Sequence, residues 1–131
     1  MSVQSKTIMF YDESLDPADD LKPEGYSGFE DLIKAVDAAV EDELTRASVI
    51  NGHRFHTDME GYAVIREEYE EAAEELIKFE DIEHNQMWKE IRNNRPSFKQ
   101  AKALLQIMEN ASAECIQAAA MLKKYLRGFE K

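Results

Sequence analysis

The sequence predicts an all-α protein, and three observations carry that expectation. Glycine and proline are scarce, five and three among 131 residues, so turns are few. Apolar residues recur at intervals of three and four along most of the chain, the period of an amphipathic helix. No stretch shows the alternation of a half-buried strand. The expected architecture is an antiparallel bundle of about four helices, completed by oligomerisation into a homo-dimer or homo-tetramer.

Residues 1–26 are polar and acidic, and Asp16-Pro17 and Lys22-Pro23 oppose helix at those points. They read as a largely irregular N-terminal arm ahead of a helical domain over residues 27–131. The apolar run Ile8-Met9-Phe10-Tyr11 is too short for a signal peptide or a membrane span. Ser27-Gly28-Phe29-Glu30 has the spacing of a capping box and opens a first helix. Its apolar stripe is Phe29, Leu32, Ile33, Val36, Val40, Leu44 and Ala47, and Asn51-Gly52 supplies a left-handed stop. His53-Arg54-Phe55-His56 is a short connection, with its two histidines at a rim.

A second capping box, Thr57-Asp58-Met59-Glu60, opens a helix that runs to about Phe79. Residues 80–92 form a third helix with a ragged apolar face of Ile82, Met87, Trp88 and Ile91. Asn93-Asn94-Arg95-Pro96 breaks it, Ser97-Phe98-Lys99-Gln100 caps again, and the last helix runs to Gly128. That helix has two apolar stripes. One is Phe98, Ala101, Leu105, Met108, Ser112, Cys115, Ala119, Leu122 and Leu126, and the other is Ile107, Ala111, Glu114, Ala118, Met121 and Tyr125. A helix apolar on two sides is expected to be buried on two sides.

Seven of the sixteen residues at positions 60–75 are glutamates, and helical geometry divides them. Glu67, Glu70 and Glu74 share a stripe with Lys78 and read as solvent-facing. Glu68, Glu71 and Glu75 border the apolar stripe of Tyr62, Ile65, Tyr69, Ala72 and Leu76. Carboxylates three residues apart lie about 5–6 Å from each other and repel by roughly 3 kcal/mol at an effective dielectric of about 20. Beside a core, such a pair calls for a cation. Glu114, the single charge in an apolar run, is expected to be ion-paired, protonated or bound to metal.

Charged residues make up 33% of the chain and the formal net charge is −11. A chain so acidic repels a phosphate backbone, which disfavours nucleic-acid binding but permits a nucleotide carried in with a divalent cation. Cys115 is the only cysteine. It excludes an internal disulfide, fits a reducing cytoplasm and is expected as a small buried hydrophobe.

Glu67-Glu68-x-x-Glu71 followed by Glu114-x-x-Gln117 resembles the Glu-Glu-x-x-Glu and Glu-x-x-Asp pair of the MazG-like all-α nucleoside triphosphate pyrophosphohydrolases. The resemblance covers about residues 29–127. It implies a Mg²⁺-dependent (or Mn²⁺-dependent) cleavage of a nucleoside triphosphate to monophosphate and pyrophosphate. It further implies Glu68, Glu71 and Glu114 as metal ligands, with Gln117 at the fourth ligand position. Apart from the resemblance, Lys34, Lys89, Arg92 and Arg95 are candidate phosphate contacts, with an ordinary surface charge as the alternative for each. Gln117 stands where the family has aspartate, and residues 80–96 lengthen the gap between the motifs. The stretch Glu60-Gly61-Tyr62-Ala63 through Glu67-Glu68 is also similar to small phage and prophage proteins. For those the resemblance implies no settled activity, and the expected setting is a bacterial or phage-infected cytoplasm. An alternative function, a non-catalytic acidic helical protein that binds a host protein, accounts for the charge of −11 directly. Charge mimicry needs carboxylates outside, and Glu114 is expected inside.

Overall fold

The computed structural model describes residues 28–130, and the regular structure among them is entirely helical. The expected arm over residues 1–26 and the Ser27 cap lie outside the described residues. The chain divides into two compact units, Met1–Lys34 and Ala35–Lys131. In the first, Gly28 has φ 69°, in the left-handed region that favours glycine. Its carbonyl accepts from the Leu32 N–H at 3.3 Å, opening α1 (Phe29–Asn51).

The rest of α1 belongs to the second unit. It ends where the sequence predicts: Gly52, at φ 89°, donates its N–H to the Ser48 carbonyl at 2.9 Å, a left-handed stop that satisfies an orphan carbonyl. Val40 and Leu44 of α1 pack on Ala120 of α4 (Phe98–Leu126), with Ile116, Ala119 and Met121 around them. Ala120 has 0% exposure, because a methyl side chain lets the two helices approach closely. Lys123 ties the edge of this contact by donating to Asp37 at 2.7 Å and to Glu41. Further along both helices, Arg127 donates to Ser48 Oγ at 3.0 Å and to the His53 carbonyl at 3.4 Å. Sequence therefore advances in the same direction along α1 and α4, and α2 between them runs back.

α2 (Asp58–Ile82) starts on the expected cap, with Thr57 Oγ1 accepting from the Glu60 N–H at 3.0 Å. The Glu60 carboxylate turns back one residue further than in a standard box, to the His56 N–H at 3.2 Å and to His56 Nδ1 at 3.2 Å. The separate third helix expected over residues 80–92 is not observed. α2 instead continues without a break through a π-helical turn, Glu83–Met87, into α3 (Trp88–Arg92). The ragged apolar spacing explains the turn. Ile82 to Met87 is a five-residue step, which an ordinary α-helix would rotate by about 140° off the face. One π turn brings it back into line, and Ile82, Met87, Trp88 and Ile91 are all half-buried.

Asn94, at φ 55°, turns the chain after α3. Arg95 closes the corner: its N–H donates to the Glu90 carbonyl at 2.8 Å, and its guanidinium pairs with the Glu90 carboxylate at 3.1 Å. The expected Ser97 side-chain cap is not made. α4 then packs antiparallel on α2 through Leu104, Ile107, Ala111, Ala118 and Tyr125, which are buried or half-buried, and a 3₁₀ turn, Arg127–Phe129, follows it. Only one of the two apolar stripes is covered. Phe98, Leu105, Met108, Leu122 and Leu126 face solvent, and Cys115 is exposed with them, contrary to its expected burial. Among the described residues no helix is long and apolar enough to cross a membrane.

The 52–57 connection is pinned by α4. Lys124 is only 4% exposed, and its ammonium sits 4.4 Å from the centroid of the Phe55 ring, a cation–π contact. Gly61 of α2 lies under Tyr125 and Phe55. A Cβ there would stand 2.5 Å from Tyr125 Cδ1 and 3.0 Å from Phe55 Cδ2. Tyr125 is also held edge-on by Phe129 at 5.6 Å between centroids. Gly61→Ala should therefore destabilise the protein: overpacking costs about 1–3 kcal/mol against a helix-propensity gain of about 1 kcal/mol. Gly128→Ala, where nothing lies within 4 Å, is the control. Urea unfolding of both variants checks this, and a Gly61→Ala midpoint at or above wild type contradicts the packing described.

Candidate metal centre

Glu68 occupies a position where the packing pattern of α2 calls for an apolar side chain. The residues of α2 that turn towards α4 include Gly61, Ile65, Ala72 and Phe79, all buried or half-buried, and Glu68 falls between Ile65 and Ala72 in the same phase. Glu114 falls between Ala111 and Ala118 on α4 in the same way. Alanines beside both glutamates leave room for carboxyl groups. Glu71, one turn along α2, reaches in from the exposed edge. One oxygen from each of Glu68, Glu71 and Glu114 lies within 4.8 Å of the other two.

Glu68 Oε2 and Glu114 Oε2 are buried and have no hydrogen-bond partner. Among the described residues, none of the ion pairs reaches Glu68, Glu71 or Glu114. Among the described residues the cluster thus has no side-chain cation, and a buried polar atom left without a partner costs free energy. Protons relieve the repulsion. Burial raises the Glu68 pKa above the ordinary carboxylate range, and the charges of Glu71, Glu114, Glu67 and Glu43 raise it further. Glu71 is raised chiefly by a side-chain hydrogen bond to Glu114, then by burial and the Glu114 charge.

The charge of Glu43, on α1, also acts on Glu68, and Glu43 was not among the sequence-predicted residues. Its side chain is 18% exposed. Arg46 Nε donates to it at 2.9 Å, and that hydrogen bond holds the Glu43 carboxyl below the usual range. The signal for it lay in phase: Glu43 is three residues after Val40 and four before Ala47, in step with the buried stripe of α1.

The remaining predicted residues divide. Glu67, Glu70 and Glu74 are exposed as expected, and Arg66 Nε donates to Glu70 at 2.8 Å. Glu75 is half-buried but bound to Lys78 at 3.1 Å. Gln117 is half-buried one turn beyond Glu114. Lys34 is exposed at the end of the first unit. Lys89, Arg92 and Arg95 are not brought to the carboxylates. The helix runs on from Glu71 without a break, carrying Lys89 and Arg92 roughly 27 Å and 31 Å further along it at about 1.5 Å per residue. Arg95 is already engaged with Glu90.

The donor set is chemically specific. Three carboxylates offer hard oxygen ligands, suited to Mg²⁺, Mn²⁺ or Ca²⁺ rather than to soft metals. Compared with protein-family models, curated proteins and solved structures, the chain matches none.

The raised carboxyls have a pH signature. Glu68 and Glu71 keep protons in the folded state that the unfolded chain releases at about pH 4.3. The folded state then binds more protons, so stability falls as pH rises from that value through the raised pKa values, and levels off above them. Glu43 and Glu60, whose pKa values are lowered, act the other way, losing stability only as pH falls below the ordinary range. In EDTA the melting temperature should therefore decline from mildly acidic to neutral pH, and Glu68→Gln should flatten the decline. A wild-type melting temperature that rises over that interval is incompatible with the cluster.

Proposed function

We propose that Glu68, Glu71 and Glu114 hold a divalent cation, Mg²⁺ or Mn²⁺, and that the protein is a nucleotide pyrophosphohydrolase that cleaves a nucleoside triphosphate to its monophosphate and pyrophosphate. The observation that carries this reading is the pair of buried, unpartnered carboxylate oxygens, Glu68 Oε2 and Glu114 Oε2, within a cluster that has no ion pair among the described residues. The Glu-Glu-x-x-Glu and Glu-x-x-Gln spacing, similar to that of the MazG-like family, supplies the reaction class.

The chain's own residues would divide the work by exposure. Glu68 and Glu114 are set by the α2–α4 seam and grip from inside. Glu71, exposed at the edge, is free to exchange its proton for the cation and stands where a phosphate would arrive. Gln117 offers an amide carbonyl in place of the family's aspartate, lowering the negative charge of the set. When bound, the cation supplies neutralisation of phosphate charge and a more acidic water. Lys89, Arg92 and Arg95, remote along the helix, have no part in this reading. The unit is completed by a second copy, since the outer stripe of α4 is uncovered.

Millimolar Mn²⁺ or Mg²⁺ should raise the melting temperature, with about 2.7 kcal/mol gained at 100 times the dissociation constant. Nucleoside triphosphates supplied with the metal should yield pyrophosphate. Glu114→Gln should leave the protein no less stable in EDTA while abolishing the metal-dependent gain, and Glu70→Gln should change stability by no more than about 0.5 kcal/mol. A loss of about 3–5 kcal/mol for Glu114→Gln in EDTA, the mark of a broken buried ion pair, with the metal response intact, removes Glu114 from the site. No response to metal at any concentration favours the alternative of an acidic, non-catalytic protein that binds a host protein.

A further inference from the structure

We propose that the outer face of α4 is a coiled-coil seam on which a second copy of this chain docks antiparallel, the two α4 helices crossing near Ser112. This rests on the self-association in the reading above and is independent of the cation. The stripe has strict heptad spacing. Phe98, Leu105, Ser112, Ala119 and Leu126 repeat every seven residues, and Ala101, Met108, Cys115 and Leu122 repeat between them. All are exposed except Ala119, which is half-buried. Phe98 is 75% exposed, Leu105 61% and Leu126 60%. The seam is about 43 Å long at 1.5 Å per residue. With its flanking positions it is on the scale of the roughly 800 Å² per partner that a stable interface needs.

Two features favour a second copy, and favour it antiparallel. The first is the distribution of size along the seam. Ser112, Cys115 and Ala119 are three small residues in succession, on the C-terminal side of bulky Leu105 and Met108. Parallel pairing sets each residue against itself, leaving voids along that run while Phe98 and Leu105 hold the helices apart. Antiparallel pairing about Ser112 sets Ala119 against Leu105 and Cys115 beside Met108 of the other copy, with the two Ser112 residues meeting at the crossing, which evens the density along the seam. The surface is thus complementary to itself, as a two-fold contact requires. The second feature is polar satisfaction. The Ser112 hydroxyl donates to the Met108 carbonyl at 2.8 Å within its own helix, so the central polar group of the seam can be buried without losing a partner. The seam is also turned about 200° from Glu114 around the helix, two residues on from Ser112, so docking leaves the carboxylates facing away.

The test uses the full chain. Light scattering at micromolar concentration should return twice the 15.1 kDa of one chain. Leu105→Glu should return a single chain with its helical circular dichroism unchanged, since Leu105 is exposed in the fold. Phe98→Cys and Leu126→Cys, each in a Cys115→Ser background, then report direction. In the antiparallel pair each cysteine is about 42 Å along the axis from its own copy, beyond any disulfide. Neither variant alone should cross-link on oxidation, and a mixture should give the mixed disulfide dimer. A wild-type mass of one chain, a dimer indifferent to Leu105→Glu, or cross-linking of either variant with itself would each overturn the proposal.

Discussion

The mutual repulsion of carboxylates placed inside a helix–helix seam governs the rest of this structure. Glu68 and Glu114 sit in phase with the residues that pack α2 on α4, positions that in an ordinary hairpin carry leucine or isoleucine. The surrounding sequence answers both their volume and their charge. Ala72, Ala111 and Ala118 leave room, and the Glu71 carboxyl, beside Glu114, is held above the ordinary carboxylate range. A proton and a divalent cation are alternative answers to the same electrostatic demand. That is why the metal-free fold is expected to prefer mild acidity, and why binding of metal would release protons.

Apolar contacts flank the carboxylates on both sides along this seam. At one end Gly61 lets Tyr125 and Phe55 close over the start of α2, and Lys124 caps the Phe55 ring. At the other, Leu104 and Ile107 are buried, and the π turn restores the phase of the apolar face. Stability is thereby supplied away from the carboxylates, which leaves the middle of the hairpin able to carry a strained charge distribution. α1 contributes both kinds of contact, apolar through Val40 and Leu44 on Ala120, and electrostatic through Glu43.

The same π turn decides where the basic residues beyond Phe79 lie. A broken helix after Phe79 would have folded Lys89, Arg92 and Arg95 back over the glutamates. A continuous one carries them to the far tip, where Arg95 holds the corner into α4.

Most of the local structure was determined by the sequence itself. The left-handed stop at Gly52, the Thr57 cap, the solvent stripe of Glu67, Glu70 and Glu74, and the helical phases of Glu68 and Glu71 on α2 and of Glu114 on α4 all follow from short-range rules, since caps and helical phase depend on residues within a turn or two. Tertiary structure alone decided which of the two apolar stripes of α4 is covered. It also placed Cys115 outside, joined residues 80–92 to α2, and brought the charge of Glu43 within electrostatic reach of Glu68. The physical reason is common to all of these. Periodicity fixes which residues share a face, but which face meets which depends on partners distant in sequence, and apolar content does not choose it, since the more apolar of the two α4 stripes is the one left uncovered. Covering the Ala111 and Glu114 face is what lets the acidic groups of α2 meet Glu114, and it leaves the heptad face uncovered.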